Sequence, residues 1–140
     1  MNDLASVLLA LSAIYPSEFH NKPSKLDLDT FRWKNRLVLI FDDSVEAEKS
    51  HVQIQELLLH PDELENRNLL VFNININGQI VDVLKNATWT SKQDYRKKYS
   101  VKPNEFGVLL IGKDGGVKLN EQNPVSTNKL FNVIDAMPMR

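Results

Sequence analysis

Residues 37–41, LVLIF, run straight into Asp42-Asp43-Ser44. Adjacent carboxylates after an apolar run are residue types that can hold a divalent cation or serve as nucleophile and proton donor. A phospho-receiver domain places paired acids there. It also needs a phospho-accepting Asp at the end of a later strand and a Lys opposite it. Here the later strand ends among Asn73, Asn75 and Asn77, which are neutral, and Lys113 falls in a turn. A haloacid-dehalogenase-like phosphatase would take Asp42 as nucleophile and want an acid two residues on, where Ser44 stands. Neither pattern is complete. Ser44 also lacks the G-x-S-x-G elbow of a hydrolase. The simpler expectation is that Asp42, Asp43 and Ser44 cap the following helix, where oxygen acceptors and negative charge are favoured.

Other motifs carry less chemistry. GKDGG (112–116) has the glycines of a phosphate loop, but it joins two strands and lacks the G-x-x-x-x-G-K-[ST] pattern. Asp114-Gly115 is expected to be a tight turn. His20, His51 and His60 have no metal-ligand spacing, and no metal site or cofactor is expected. Trp33 stands between Arg32 and Lys34. It suits either an aromatic lid on a sheet edge or an anchor for a partner.

These residues need elements to position them. The run RLVLIF (36–41) is apolar on both faces after Arg36, as in a buried central strand. A helix is expected over about 45–60, stopping before Pro61, with Ala47, His51, Ile54 and Leu58 on its inner face. Residues 68–76 (NLLVFNINI) form a second strand, and Asn77-Gly78 turns it back into QIVDVL as a hairpin. Ser91 starts a helix to about residue 99, with Tyr95 and Tyr99 one turn apart. FGVLLI (106–111) is a third buried strand, and VKLNE returns after the turn. Ser126 or Thr127 caps a last helix in which Leu130, Ile134 and Met137 share a face, and Pro138 helps to end it. The order β-α-β, hairpin, α-β-β-α predicts a mixed sheet of four or five strands flanked by helices.

Composition sets the bounds. The chain has 140 residues, which predicts one domain, and 42% apolar with 25% charged residues is ordinary for a soluble one. With a net charge of −1, nucleic acid is not an expected partner. Two basic clusters, Arg32/Lys34/Arg36 and Lys92/Arg96/Lys97/Lys98, are short and interrupted, as on solvated faces. There is no cysteine, so disulfides and thiolate chemistry are closed to this chain. Residues 1–27 are expected to form an apolar segment and linker before a domain over 28–140. LASVLLALSAIYP is too short to cross a membrane as a helix. Two readings of it stay open: an export signal cleaved near Ala10-Leu11-Ser12, or an amphipathic helix ending before Pro16. Periplasmic or other exported and cytoplasmic locations are therefore both open.

Three segments go further. FRWKNRLVLIF (31–41), YSVKPNEFGVLLIGKDGGVKL (99–119) and LFNVIDAMPMR (130–140) resemble a family of unknown function. Its members occur as small bacterial proteins and as C-terminal modules of animal extracellular-matrix proteins of the sushi-repeat and Equarin type. The resemblance implies an α/β, thioredoxin-like and peroxiredoxin-related fold, without thiol chemistry. The strand-to-helix junction that carries C-x-x-C in thioredoxins reads DDSVEAEKS here, and no proline stands at Glu105-Phe106-Gly107, where thioredoxins have one. The expected function is a non-catalytic binding or structural module with a protein partner. The alternative is a cysteine-independent enzyme, or a metal- or phosphate-binding protein, using Asp42 and Asp43. The candidate surface comprises Trp33, Asp42, Asp43, Ser44 and Phe106.

Overall fold

The computed structural model describes residues 25–138. The apolar segment at residues 4–15, with its two readings, lies outside them. The described chain runs β1 (Lys25–Leu26), a 3-10 turn (Leu28–Phe31), β2 (Arg36–Phe41), α1 (Glu48–Leu58), α2 (Pro61–Asn66) and β3 (Leu69–Ile74). It continues with β4 (Ile80–Asp82), β5 (Ala87–Ser91), α3 (Tyr95–Lys98), β6 (Gly107–Ile111), β7 (Val117–Glu121) and α4 (Thr127–Asp135).

All six residues of β2 are buried because the strand lies inside the sheet with helices over both faces. It pairs in parallel with β3, Val38 beside Val71, and antiparallel with β6, Val38 beside Leu110. The side chains alternate between two cores, as strand geometry requires. Val38, Ile40, Val71, Val108 and Leu110 pack with Leu57 of α1, Leu64 of α2 and Phe131 of α4. Leu37, Leu39, Phe41, Phe72 and Leu109 pack on the other face with Leu28 and with Tyr95 of α3. The sheet therefore separates α1, α2 and α4 from α3 and the 3-10 turn.

The sheet has seven strands among the described residues, in the order β1-β5-β4-β3-β2-β6-β7, not the four or five expected. The additional strands are short and peripheral. β5 pairs with β4 through Trp89 beside Ile80, and β1 pairs with β5 through only two residues. ATWTS has the β-branched and aromatic residues of a strand, but no continuous apolar run marks it. Ser91 closes β5 rather than opening a helix. The cap of α3 is Asp94, which accepts from the Lys97 amide at 3.2 Å.

The inner face of α1 also differs from expectation. Ala47 is buried and Ile54 packs against the core as expected, but Ser50, Gln53 and Leu57 are the buried residues of the helix, while His51 is exposed and Leu58 is 44% exposed. Gln53 sets this orientation. Its amide nitrogen donates to the Val125 carbonyl at 3.1 Å, and its amide oxygen accepts from the Val125 N–H at 2.7 Å. Turning His51 inward would leave both Val125 groups unpaired, at about 1–3 kcal/mol each.

The two expected turns are present. Gly78 (φ 88°) turns β3 into β4, and Gly115 (φ 86°) turns β6 into β7. At Gly115 the Arg32 guanidinium lies 2.6 Å from where a Cβ would stand, so a side chain there would meet both backbone strain and a neighbour. Asp114 accepts from the Gly116 N–H at 2.9 Å and pairs with Lys118 at 3.0 Å. Those contacts, the backbone N–H first, hold its carboxyl below the usual carboxylate range.

Candidate functional site

The junction after β2 stays in the sheet one residue beyond the strand itself. The Asp42 N–H donates to the Ile74 carbonyl at 3.0 Å, which carries Asp42 into the interior at 6% exposure. Its carboxylate accepts from the Asn73 amide at 2.8 Å, and the same amide nitrogen donates to the Ile40 carbonyl at 2.9 Å. Arg96, from α3, then closes the corner. One of its terminal nitrogens donates to the Asp42 carbonyl. The other donates to the carbonyls of Lys102 (2.9 Å) and Glu105 (3.0 Å), in the loop that leads into β6. The guanidinium stands 5.3 Å from the centre of the Phe41 ring. Burial weakens its hold on the proton, and the carboxylates of Asp42 and Asp94 oppose that.

The acids do not cap α1. Its N-cap is Ala47, in a left-handed conformation (φ 51°) with no side-chain cap. Asp42 is committed to the sheet, five residues short of Ala47, so its carboxylate is spent before the helix begins. Asp43 is half-buried, with the Ser44 hydroxyl 3.4 Å from its carboxylate. Ser44 contributes most to the approach, accepting from the Ala47 N–H at 3.2 Å. Phe106, expected in an exposed patch, is 3% exposed and sits in the core, because the β6 pairing turns it inward beneath Lys49. Trp33 is 63% exposed at the opposite end of β2, about 20 Å of strand from Asp42, so it does not lie flat as a lid. The candidate residues thus split: Asp42, Asp43, Ser44 and Phe106 share a corner, and Trp33 stands apart.

Residues 27–140 match the family model described as Domain of unknown function (DUF4174). The chain belongs to that family. Among curated proteins it is 28% identical over 138 residues to coiled-coil domain-containing protein 80 of Danio rerio. That match takes in 86% of this chain and 16% of the zebrafish protein, so the chain spans about a sixth of that relative. Among solved structures it is similar to the reduced 2-Cys peroxiredoxin of Plasmodium vivax, with a TM-score of 0.59 and 18% identity over 79% of this chain and 82% of that one. It is also similar to the mitochondrial 2-Cys peroxiredoxin of Plasmodium falciparum, at 0.55 and 21% over 79% and 80%. A thioredoxin domain of a thiol-disulfide oxidoreductase from Bacteroides vulgatus gives 0.50 and 12% over 79% and 83%. At these identities the likeness shows the fold: this DUF4174 chain is thioredoxin-like, and it has no cysteine.

The corner of this family member offers little free chemistry. A depression of about 250 Å³ beside Asp43 is lined by Lys49, Asn104, Glu105, Phe106 and Gln122. A larger groove of about 540 Å³ lies between the β3–β4 turn and α3, where Ile76, Asn77, Gln79, Gln93 and Arg96 face it. Thr90, Ser91, Asp94 and Tyr95 also line it; the Asp94 carboxylate caps α3, the Tyr95 hydroxyl accepts from the Leu28 N–H, and the Arg96 guanidinium is engaged with carbonyls. His60 lies edge-on to Phe131, with ring centres 6.2 Å apart, and is not at the corner. Among the described residues no three His, Cys, Asp or Glu converge as metal ligands, and no helix is long and apolar enough to cross a membrane. Sequence reasoning missed Asn73 and Arg96 as members of the corner. Asn73 was legible as a polar residue interrupting a strand, but nothing local marks Arg96 as half-buried among lysines.

Proposed function

We propose that this chain is a non-catalytic binding or structural module that keeps the thioredoxin-like frame without its chemistry. The observation that carries this is the state of Asp42: the acid at the strand-to-helix junction is buried and bonded to Asn73, with its own carbonyl held by Arg96. A carboxylate used to fix a corner is poorly placed to reach substrate. The match to a sixth of a much longer vertebrate protein supports the module reading, since the same unit there is one part of a larger chain. The resemblance to matrix-protein modules extends the proposal to a structural setting of that kind.

The test compares wild type with Asp42→Asn, which keeps an acceptor for Asn73. The two proteins are expected to differ by less than about 1 kcal/mol in stability. Neither is expected to shift its melting temperature with Mg²⁺, Mn²⁺, Zn²⁺ or inorganic phosphate. A shift in wild type that Asp42→Asn abolishes would overturn the proposal in favour of a metal- or phosphate-dependent site.

A further inference from the structure

The near-zero net charge conceals a strong segregation. Residues 42–66 hold eight carboxylates and one lysine, whereas residues 84–102 hold six basic side chains and one aspartate. The fold places the helices of these two segments on opposite faces of the sheet. α1 and α2 pack on the face that holds Leu57 and Leu64, and α3 packs on the face that holds Tyr95. Glu46, Glu48, Asp62, Glu63 and Glu65 are exposed on the first side. Lys92, Lys97, Lys98 and Lys102 are exposed on or beside α3.

Countercharges do not erase the pattern. On the acidic side Arg67 is bound to Asp135, and Lys49 donates to Asn123. On the basic side Asp94 caps α3, and Asp29 pairs with Lys98. Apolar surface accompanies the acids. Val52 is 58% and Leu59 72% exposed; seven residues apart, they share an outward stripe with Glu48, one turn before Val52.

We propose that these faces dock on each other between copies of this chain, the acidic α1–α2 face of one seated on the basic α3 face of the next. The complementarity that selects the occupant is on the molecule itself. Neither face can pair with its own copy, because like charges would meet, so a two-fold dimer through either face is disfavoured. The contact is instead head-to-tail, and it builds a ring or an open chain. With a net charge of −1, whole molecules do not repel one another at long range. This names a partner for the module proposed above and rests on it for its meaning.

Sedimentation velocity across a concentration series tests it, at about 10 mM salt (Debye length about 30 Å) and about 1 M salt (about 3 Å). Wild type is expected to assemble at low salt and to be monomeric at high salt. One variant neutralises the basic face (Lys92→Gln/Lys97→Gln/Lys102→Gln), and a second neutralises the acidic face (Glu48→Gln/Asp62→Asn/Glu63→Gln). All six side chains are exposed, and circular dichroism checks that each variant folds. Each alone is expected to be monomeric at low salt. Mixed, they retain one working interface between them and are expected to stop at a heterodimer. Wild type that stays monomeric at low salt overturns the proposal, as does assembly that survives in either variant or a mixture that fails to pair. Monomeric wild type captured on heparin would assign the basic face to a polyanion, again overturning self-association. Any of these failures leaves the module reading standing, since that falls to a ligand shift tied to Asp42.

Discussion

The two ends of β2 both tie down their polar groups, but only one leaves a large side chain free. At the C-terminal end, side chains do the work: Asn73 binds Asp42 and Ile40, and Arg96 gathers three carbonyls from two separate loops. At the N-terminal end, side chains and backbone share it: buried Arg36 donates to the Arg67 carbonyl at 2.9 Å, and the Lys113 ammonium donates to the Asn68 side-chain oxygen at 3.0 Å. The Trp33 N–H donates to the Lys113 carbonyl at 2.6 Å, and the Arg36 N–H to the Asn68 carbonyl at 2.9 Å. Trp33 itself is held at φ 70°, a left-handed conformation unfavourable for a bulky residue, and its ring is left largely in solvent. The strand-to-helix corner has its polar side chains absorbed into structure. The opposite end leaves a large side chain uncommitted.

The largest test of this contrast is Arg96→Met, which keeps much of the stem and removes the donors. It is expected to cost about 2–4 kcal/mol in urea unfolding, because the carbonyls of Asp42, Lys102 and Glu105 lose a shared charged partner. A cost below about 0.5 kcal/mol would mean that the corner is not held by side chains.

A second test concerns α3, which links the two ends. Burial raises the Tyr95 and Tyr99 hydroxyls above their ordinary range, near pH 10. Burial pulls the Lys98 ammonium down, but its hydrogen bond to Asp29 and neighbouring groups carry it above its ordinary value. All three groups hold protons more tightly folded than unfolded. Their contribution is therefore complete below the unfolded values and lost as pH rises from about 10 through the folded ones. Denaturant midpoints are expected to fall across that window. Tyr99→Phe, which removes one titrating hydroxyl, is expected to flatten the fall; an unchanged slope would exclude Tyr99 from it.

The smallest effect is expected at the other end. Trp33→Gly relieves the left-handed backbone and is expected to stabilise the fold by roughly 0.5–1 kcal/mol, whereas Trp33→Ala keeps the strain and should stay within about 0.5 kcal/mol of wild type. Destabilisation above about 1 kcal/mol by either would show that the ring packs where the contrast leaves it free.

The central strands and the final helix were legible in the sequence because burial on two faces writes a continuous apolar run, and because Ser126 caps α4 as its type predicts. β1 and β5 were not: β1 has only two residues to read, and β5 carries no continuous apolar run. The location of the corner was legible at Asp42, but its chemistry was not. Whether an acid caps a helix or turns into the sheet depends on Asn73, 31 residues away, and on Arg96, 54 residues away. No spacing rule reaches those partners. Half of the inner face of α1, His51 and Leu58, was misplaced for the same reason: Gln53 looks like a solvent residue until Val125, 72 positions on, is beside it.

That pairing bears on how the chain breathes. Val125 lies outside the strands and helices, one residue before the cap of α4, yet its N–H is buried against the Gln53 amide. In a hydrogen-exchange experiment this loop amide is expected to exchange with the slow class of β2 and β6, not with its sequence neighbours. Its exchange rate would then report how often α1 and the start of α4 come apart.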